Sequence, residues 1–231
     1  MPTASTVRLA LLNIGQAPRH DLTEAIEHEL PAHVQARHVG ALDGLSRAEV
    51  QSRFAPAEGA PCLISRLADG GTVTLDAALI GEQLQRTIDR LEDEGVEVIV
   101  LLCTGEFPQL RTRGAWLVEP DAVVCRTVAG LLGSHRAGVI LPLAQQEEEA
   151  RAKWRLPGTT PPLFAAASPY SPDARSLVEA ARSLQAQGAR ALVLDCMGYA
   201  PHHKKALRDA GVNLPVLVSG SVLAGALGAF L

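Results

Sequence analysis

Cysteine is the residue type here with the most direct chemistry, and two of the four cysteines stand in matching places. Cys103 closes the apolar run VEVIVLL and Cys196 closes ARALVLD, and each is followed two positions later by a glycine, as Cys-Thr-Gly and Cys-Met-Gly. Each also stands at the same remove beyond a glycine that stops a helical pattern, Gly95 and Gly188. Ligands of open α/β sheets bind beyond the carboxyl ends of the strands, so both thiols occupy ligand-facing positions. A helix starting just beyond either thiol would favour its anionic form. One thiolate could take the α-proton of a carboxylate while the other thiol returns a proton on the opposite face. That reaction asks for no metal or organic cofactor. It does need donors for the carboxylate, and Asn13, Thr104, the Gly105 amide and Ser219 lie where donors are wanted; Gly198, like Gly105, lets a ligand approach the backbone beside its cysteine, and Tyr199 is placed to line the cleft or to pack.

Other chemically capable residues are weaker candidates. Cys62 begins a hairpin strand and Cys125 falls in a helical pattern, so both are expected to pack as small hydrophobes. No C-x-x-C pair occurs, which argues against a zinc ribbon or thioredoxin-like centre. His202 and His203 follow the second turn, but neighbouring histidines point in different directions and do not readily share a metal, so no metal site is expected. Gln16 and Arg19 follow the first strand at the same sheet edge as the cysteines, and Arg19 could clamp a carboxylate through two parallel hydrogen bonds. Asp195 should face away from Cys196 if the strand continues, toward a hydrogen bond at the core's edge.

Strands and helices alternate along the chain, the mark of parallel α/β layering. Strands are expected at Val7–Asn13, 34–39, 96–102, Ala137–Leu141, Leu163–Ala166, 189–194 and 215–218. Helices are expected at 21–30 (capped by Asp21), 76–94, 145–154, 172–187 and at the C-terminus. Leu79, Ile80, Leu84, Ile88 and Leu91 form the apolar stripe of the second of these. Cys62–Arg66 and 72–75 flank Asp69–Gly70–Gly71 as a hairpin, an antiparallel addition. The cysteine-ended strands mark an internal repeat. Residues 1–120 and 121–231 are therefore expected as two halves, with a crossing helix near 119–136 and the C-terminal helix, 220–231, able to pack back on the first half.

At several places the chain resembles the AroM family: NIGQAPRHD at 13–21, GALDGL at 40–45, LLCTGEF at 101–107, VEP at 118–120, GVILP at 138–142, KW at 153–154, LDCMGY at 194–199 and PVLVS at 215–219. That family looks like a branch of the aspartate/glutamate/hydantoin racemase superfamily. The resemblance implies an α/β fold of two Rossmann-like, flavodoxin-like halves with mostly parallel sheets and a pseudo-twofold relation. It also implies a small carboxylate or hydantoin bound in a cleft between the halves, and Cys103 and Cys196 as the acid/base pair. The NIGQAPR match adds weight to Gln16 and Arg19.

Composition removes other classes. Over 231 residues the net charge is −4 and aromatics are only 3%, which leaves no basic, aromatic-studded surface for nucleic acid. Neither G-x-G-x-x-G nor a P-loop occurs. Apolar runs fall well short of the roughly 20 residues that span a bilayer, and no signal-peptide pattern opens the chain, so a cytoplasmic protein without a membrane partner is expected. The expected partner is a small-molecule carboxylate, and a homo-oligomer is left open. The expected function is a cofactor-independent racemase or isomerase. Its rivals are an isomerase that adds a thiol to a double bond, a decarboxylase in which one thiol protonates a carbanion, and a carboxylate-binding protein without turnover.

Overall fold

Continuous apolar runs fold here as strands covered on both faces, and amphipathic stretches fold as the helices that cover them. The computed structural model describes residues 6–231. The chain divides into two units, Met1–Pro120 together with Leu227–Leu231, and Asp121–Ala226.

In the first unit the elements run β1 (Val7–Asn13), α1 (His20–Glu29), β2 (Val34–Gly40), α2 (Arg47–Phe54), β3 (Cys62–Arg66), β4 (Thr72–Asp76), α3 (Ala77–Asp93), β5 (Val98–Leu101) and β6 (Trp116–Val118). The sheet has the order β2-β1-β5-β6 and is parallel throughout. β3 and β4 pair antiparallel as a separate hairpin. Asp76 caps α3 by accepting from the Ala78 and Leu79 amides, and Gly95 ends it at φ +78°, where a side chain would be strained. Ile80, Leu84, Ile88 and Leu91 are buried, as their spacing requires, whereas Leu79 lies off the stripe and is exposed.

In the second unit the elements run α4 (Pro120–Leu132), β7 (Ala137–Leu141), α5 (Glu147–Lys153), β8 (Leu163–Ala166), α6 (Arg175–Ala186), β9 (Ala191–Leu194), α7 (Pro201–Asp209), β10 (Val216–Val218) and α8 (Ser219–Phe230), the last of which runs on into the first unit's segment. The sheet is β10-β9-β7-β8, again all parallel. Read by chain order within each sheet, both units place their strands second-first-third-fourth. The first and third strands are neighbours in each, and β5 and β9 are the third strands. This is the flavodoxin-like order, whose ligands bind at the switch point between first and third strands. Among the described residues no helix is long and apolar enough to cross a membrane.

Three local expectations change. No helix follows Cys103: residues 102–115 run without one into β6, so helix-terminal amides are not what surrounds that thiol. α1 begins at His20, which puts Asp21 inside its first turn rather than at the cap. α2 and β6 are additional elements.

Candidate active site

The two cysteine turns have the same backbone construction. Past β5, the Leu102 amide donates to the Leu12 carbonyl at 2.7 Å; past β9, the Asp195 amide donates to the Ile140 carbonyl at 3.0 Å. Each bond extends the pairing of third and first strands by one residue, and the cysteine is the next. In both turns the glycine amide then points back at the sulfur. Gly105 N–H donates to Cys103 Sγ and Gly198 N–H to Cys196 Sγ, each at 3.4 Å. A thiolate accepts such a donor more strongly than a thiol does. All four cysteines are thiols rather than disulfides; Cys103 is buried and Cys196 half-buried.

The glycines are required by what lies over them. A Cβ on Gly105 would stand 3.0 Å from a Leu63 methyl, so the β3–β4 hairpin closes over the first turn. A Cβ on Gly198 would meet the Tyr170 ring at 2.7–2.9 Å.

In the first unit, Asn13 and the turn after β1 lie on the same sheet edge as Cys103. The polar side chains of this turn are engaged with the protein itself. Asn13 accepts from Gly15 N–H at 2.7 Å and donates to the Val39 carbonyl at 3.2 Å. Gln16 donates to the Leu42 and Leu45 carbonyls and accepts from the Ala68 amide at 2.8 Å, stitching the β1 turn to the loop before α2 and to the hairpin. Gly15 is obligatory in this stitch, because a Cβ would sit 2.3 Å from the Arg66 carbonyl. Arg19 is buried and grips both oxygens of Asp21, at 2.8 and 2.7 Å. Burial works against the Asp21 charge, but the Arg19 contact outweighs it and holds the carboxyl below its ordinary range. Arg19 was expected to clamp a substrate carboxylate; in the structure its two parallel hydrogen bonds go to Asp21 of the same chain. Thr104 is buried beside Cys103.

In the second unit, Ser219 opens α8 and donates to the Leu194 carbonyl at 2.9 Å, closing the end of β9 from the β10 side. Tyr199 is buried in the core and its hydroxyl donates to the Ala167 carbonyl. Burial first, then the charges of Cys196 and Asp195, push its phenol well above the ordinary range, so it stays a neutral donor. His203 accepts from the Ala200 amide at Nδ1 (3.0 Å) and its Nε2 faces the Pro169 carbonyl at 3.2 Å, which makes it the cap of α7. Cys125 is a core residue of α4, as its helical setting implied.

One arrangement lay outside the sequence-predicted site. Lys153, the last residue of α5, places Nζ 2.6 Å from Asp195 Oδ2, and Trp154 donates its indole N–H to the same oxygen at 2.8 Å. Both members of the ion pair are almost wholly buried. The sequence carried a signal for this, the adjacent Lys-Trp pair and an aspartate before the second cysteine, but nothing local joins them.

Among the described residues, His20 and Glu27 on α1 and His38 on β2 are the group with metal-ligand character, their ligand atoms all within 4.8 Å of one another. Within it, His38 Nε2 and Glu27 Oε1 form a 2.8 Å hydrogen bond.

Comparison with known proteins adds the following. The family model described as AroM protein matches residues 9–231. No curated protein sequence matches the chain. Among solved structures, allantoin racemase from Klebsiella pneumoniae is similar at 15% identity and a TM-score of 0.63, covering 97% of this chain and 87% of its own. Glutamate racemase from Aquifex pyrophilus gives 15% and 0.62, covering 97% and 84%. The maleate isomerase Iso from Pseudomonas putida S16 gives 14% and 0.62, covering 97% and 92%. At these identities the likeness is one of fold.

Proposed function

This chain belongs to the AroM family, and on that premise we propose that it is a cofactor-independent racemase or isomerase of a small carboxylate, an amino acid or hydantoin-like ring, with Cys103 and Cys196 as its acid/base pair. The observation that carries the reading is the repeated turn: two thiols, each one residue past the extended third strand of the same sheet order, each accepting its own glycine amide at 3.4 Å. Solved structures of like fold include racemases of allantoin and glutamate, which supports the reaction class.

In this reading one cysteine, as thiolate, removes the α-proton and becomes a thiol. The other, as thiol, delivers its proton to the opposite face and becomes the thiolate. The reverse reaction exchanges the roles, so both sulfurs must reach both states, and the glycine amides lower the cost of the anionic one. Asn13, Gln16, Tyr199 and Ser219 serve by holding the turns in place. The substrate carboxylate is left to Thr104 and the main-chain amides around Gly105 and Gly198, with the Arg19–Asp21 pair at the same edge of the first unit.

The test is exchange of the substrate α-hydrogen in deuterated water, followed by NMR over a panel of amino acids and hydantoins. A substrate should emerge, and Cys103→Ala and Cys196→Ala should each slow its exchange by at least about a hundredfold. Exchange that persists unchanged in both variants would discard the mechanism. A ligand that raises Tm yet never exchanges or changes would instead make the chain a binder.

A second reading is favoured by the unequal exposure of the two thiols, Cys103 being buried and Cys196 half-buried. Cys196 alone would add as thiolate to a carbon–carbon double bond, let the resulting single bond rotate, and leave again. A mass adduct on Cys196 with an unsaturated diacid, formed equally well in Cys103→Ala, distinguishes this from proton transfer.

A further inference from the structure

Successive residues of a strand point to opposite faces, and β9 keeps that alternation past its last paired residue. Leu192, Leu194 and Cys196 pack with the core that contains Tyr199 and Leu207, whereas Val193 packs with the core that contains Cys125 and Trp154. Asp195 follows Val193, reaching Trp154 and Lys153 on that second side. Asp195, the residue immediately before Cys196, is thus gripped on the face away from the thiol by two consecutive residues at the end of α5.

A buried ion pair is a poor source of stability, because removing both charges from water costs about as much as their attraction returns. The first unit does without one, setting a buried Leu102 at the equivalent place. What the pair supplies that a leucine does not is direction: two donors converge on one carboxylate oxygen and fix the rotation of the strand end. We infer that Lys153 and Trp154, acting through Asp195, are positioning residues for Cys196, aligning its sulfur with the Gly198 amide. The inference rests on reading Cys196 as the reactive thiol of the proposed function. The charged and titratable groups around the turn are Tyr199, Tyr170 over Gly198 and His203 against Tyr199 with His202 beside it, and, on the face away from the thiol, Asp195, Lys153, Asp121 and Cys125. Burial opposes the Lys153 charge, but Asp195 foremost among its neighbours keeps it protonated, so the pair is net neutral and its joint removal leaves the local charge unchanged.

The experiment is site-resolved alkylation of the folded chain with iodoacetamide across pH, read by mass spectrometry, with Cys103 as the control in the same tube. Lys153→Met combined with Asp195→Asn removes both charges and keeps an acceptor for the Trp154 N–H. It should slow Cys196 at pH 7 by about fivefold and move its midpoint to higher pH, while Cys103 stays at its wild-type rate. Trp154→Phe keeps most of the ring's bulk and loses one donor, and should slow Cys196 by about threefold; it decides the matter if the double variant does not fold. An unchanged or faster Cys196 in a folded variant overturns the inference. Turnover plays no part in this readout, so a chain that exchanges no α-proton fails the proposed function and leaves the anchor still to be judged by its thiol.

Discussion

The turns at 102–105 and 195–198 follow the same strand of the same sheet order, and their backbones bond alike down to the glycine amide on the sulfur. Their undersides differ. Leu102 enters an apolar interior, while Asp195 is held by Lys153 and the Trp154 indole. The surroundings differ as well: a hairpin covers the first turn through Leu63, and α7 with Tyr170 bounds the second. A repeated backbone therefore fixes where the two thiols sit in their sheets. Each unit then uses its own side chains to set how firmly the thiol is held and how far it is exposed.

The comparison is broken most severely by removing one charge from the second turn's anchor. Lys153→Met leaves the Asp195 carboxylate buried without its cation, and should cost about 3–5 kcal/mol. Replacing both Lys153 and Asp195 by apolar residues of similar size should be near neutral in denaturant unfolding. In the first turn the matching experiment, Leu102→Ala, has no such rescue and should cost about 2–5 kcal/mol through lost packing alone. If Lys153→Met unfolds at the wild-type midpoint, the two anchors are not different in kind.

A smaller effect sharpens the same contrast at the glycines. Gly198→Ala pushes a methyl into the Tyr170 ring, which must swing as a rigid body, at a cost of about 1–3 kcal/mol. Gly105→Ala meets the two Leu63 methyls at 3.0 and 3.5 Å and Cys103 Sγ at 3.4 Å; only the nearer methyl must yield, by a few tenths of an ångström, and the change should cost less than about 1 kcal/mol. Thermal unfolding of the two variants side by side gives the order; a reversed order would mean that the hairpin over Cys103 is the stiffer cover.

Much of this frame was legible in the chain. VEVIVLL and ARALVLD are continuous apolar runs, which a strand buried on both faces requires, and their shared ending exposed the repeat. α3 declared itself by its stripe and by Gly95. Helix α2 also had a signal, Ser46 followed three residues later by Glu49, and the structure has that capping box. Its short, polar sequence offered no apolar stripe to confirm it. β6 is three residues long and begins with an exposed Trp116, so neither length nor alternation announced it. At the site, residue type and position were readable but occupancy was not. An asparagine or glutamine beside a strand end reads the same whether its amide holds a ligand or, as with Asn13 and Gln16, the neighbouring main chain. The Lys153–Asp195 contact joins residues that no local periodicity relates.

The mildest test concerns the histidine behind the second turn, which has no counterpart after Cys103 because no helix follows there. His203 must be neutral to accept the Ala200 amide at Nδ1, and Nε2 then carries the proton toward the Pro169 carbonyl. Burial first, and then the neighbouring His202, hold its pKa below the ordinary 6.5. For a base depressed by folding, the unfolded chain binds the proton more readily. The contribution to stability is therefore complete above 6.5 and is lost as pH falls below it toward the folded value. Tm should drop by roughly 2 °C more in wild type than in His203→Gln over that window, since glutamine offers a carbonyl acceptor that does not titrate. Over the same window Cys196 alkylation should lose ground to Cys103, because a loosened start of α7 frees the Gly198 end of the turn that the Leu102 side does not share. Parallel melting curves for the two proteins would show that the α7 cap does not sense the proton, and the asymmetry between the turns would then rest on the Asp195 anchor alone.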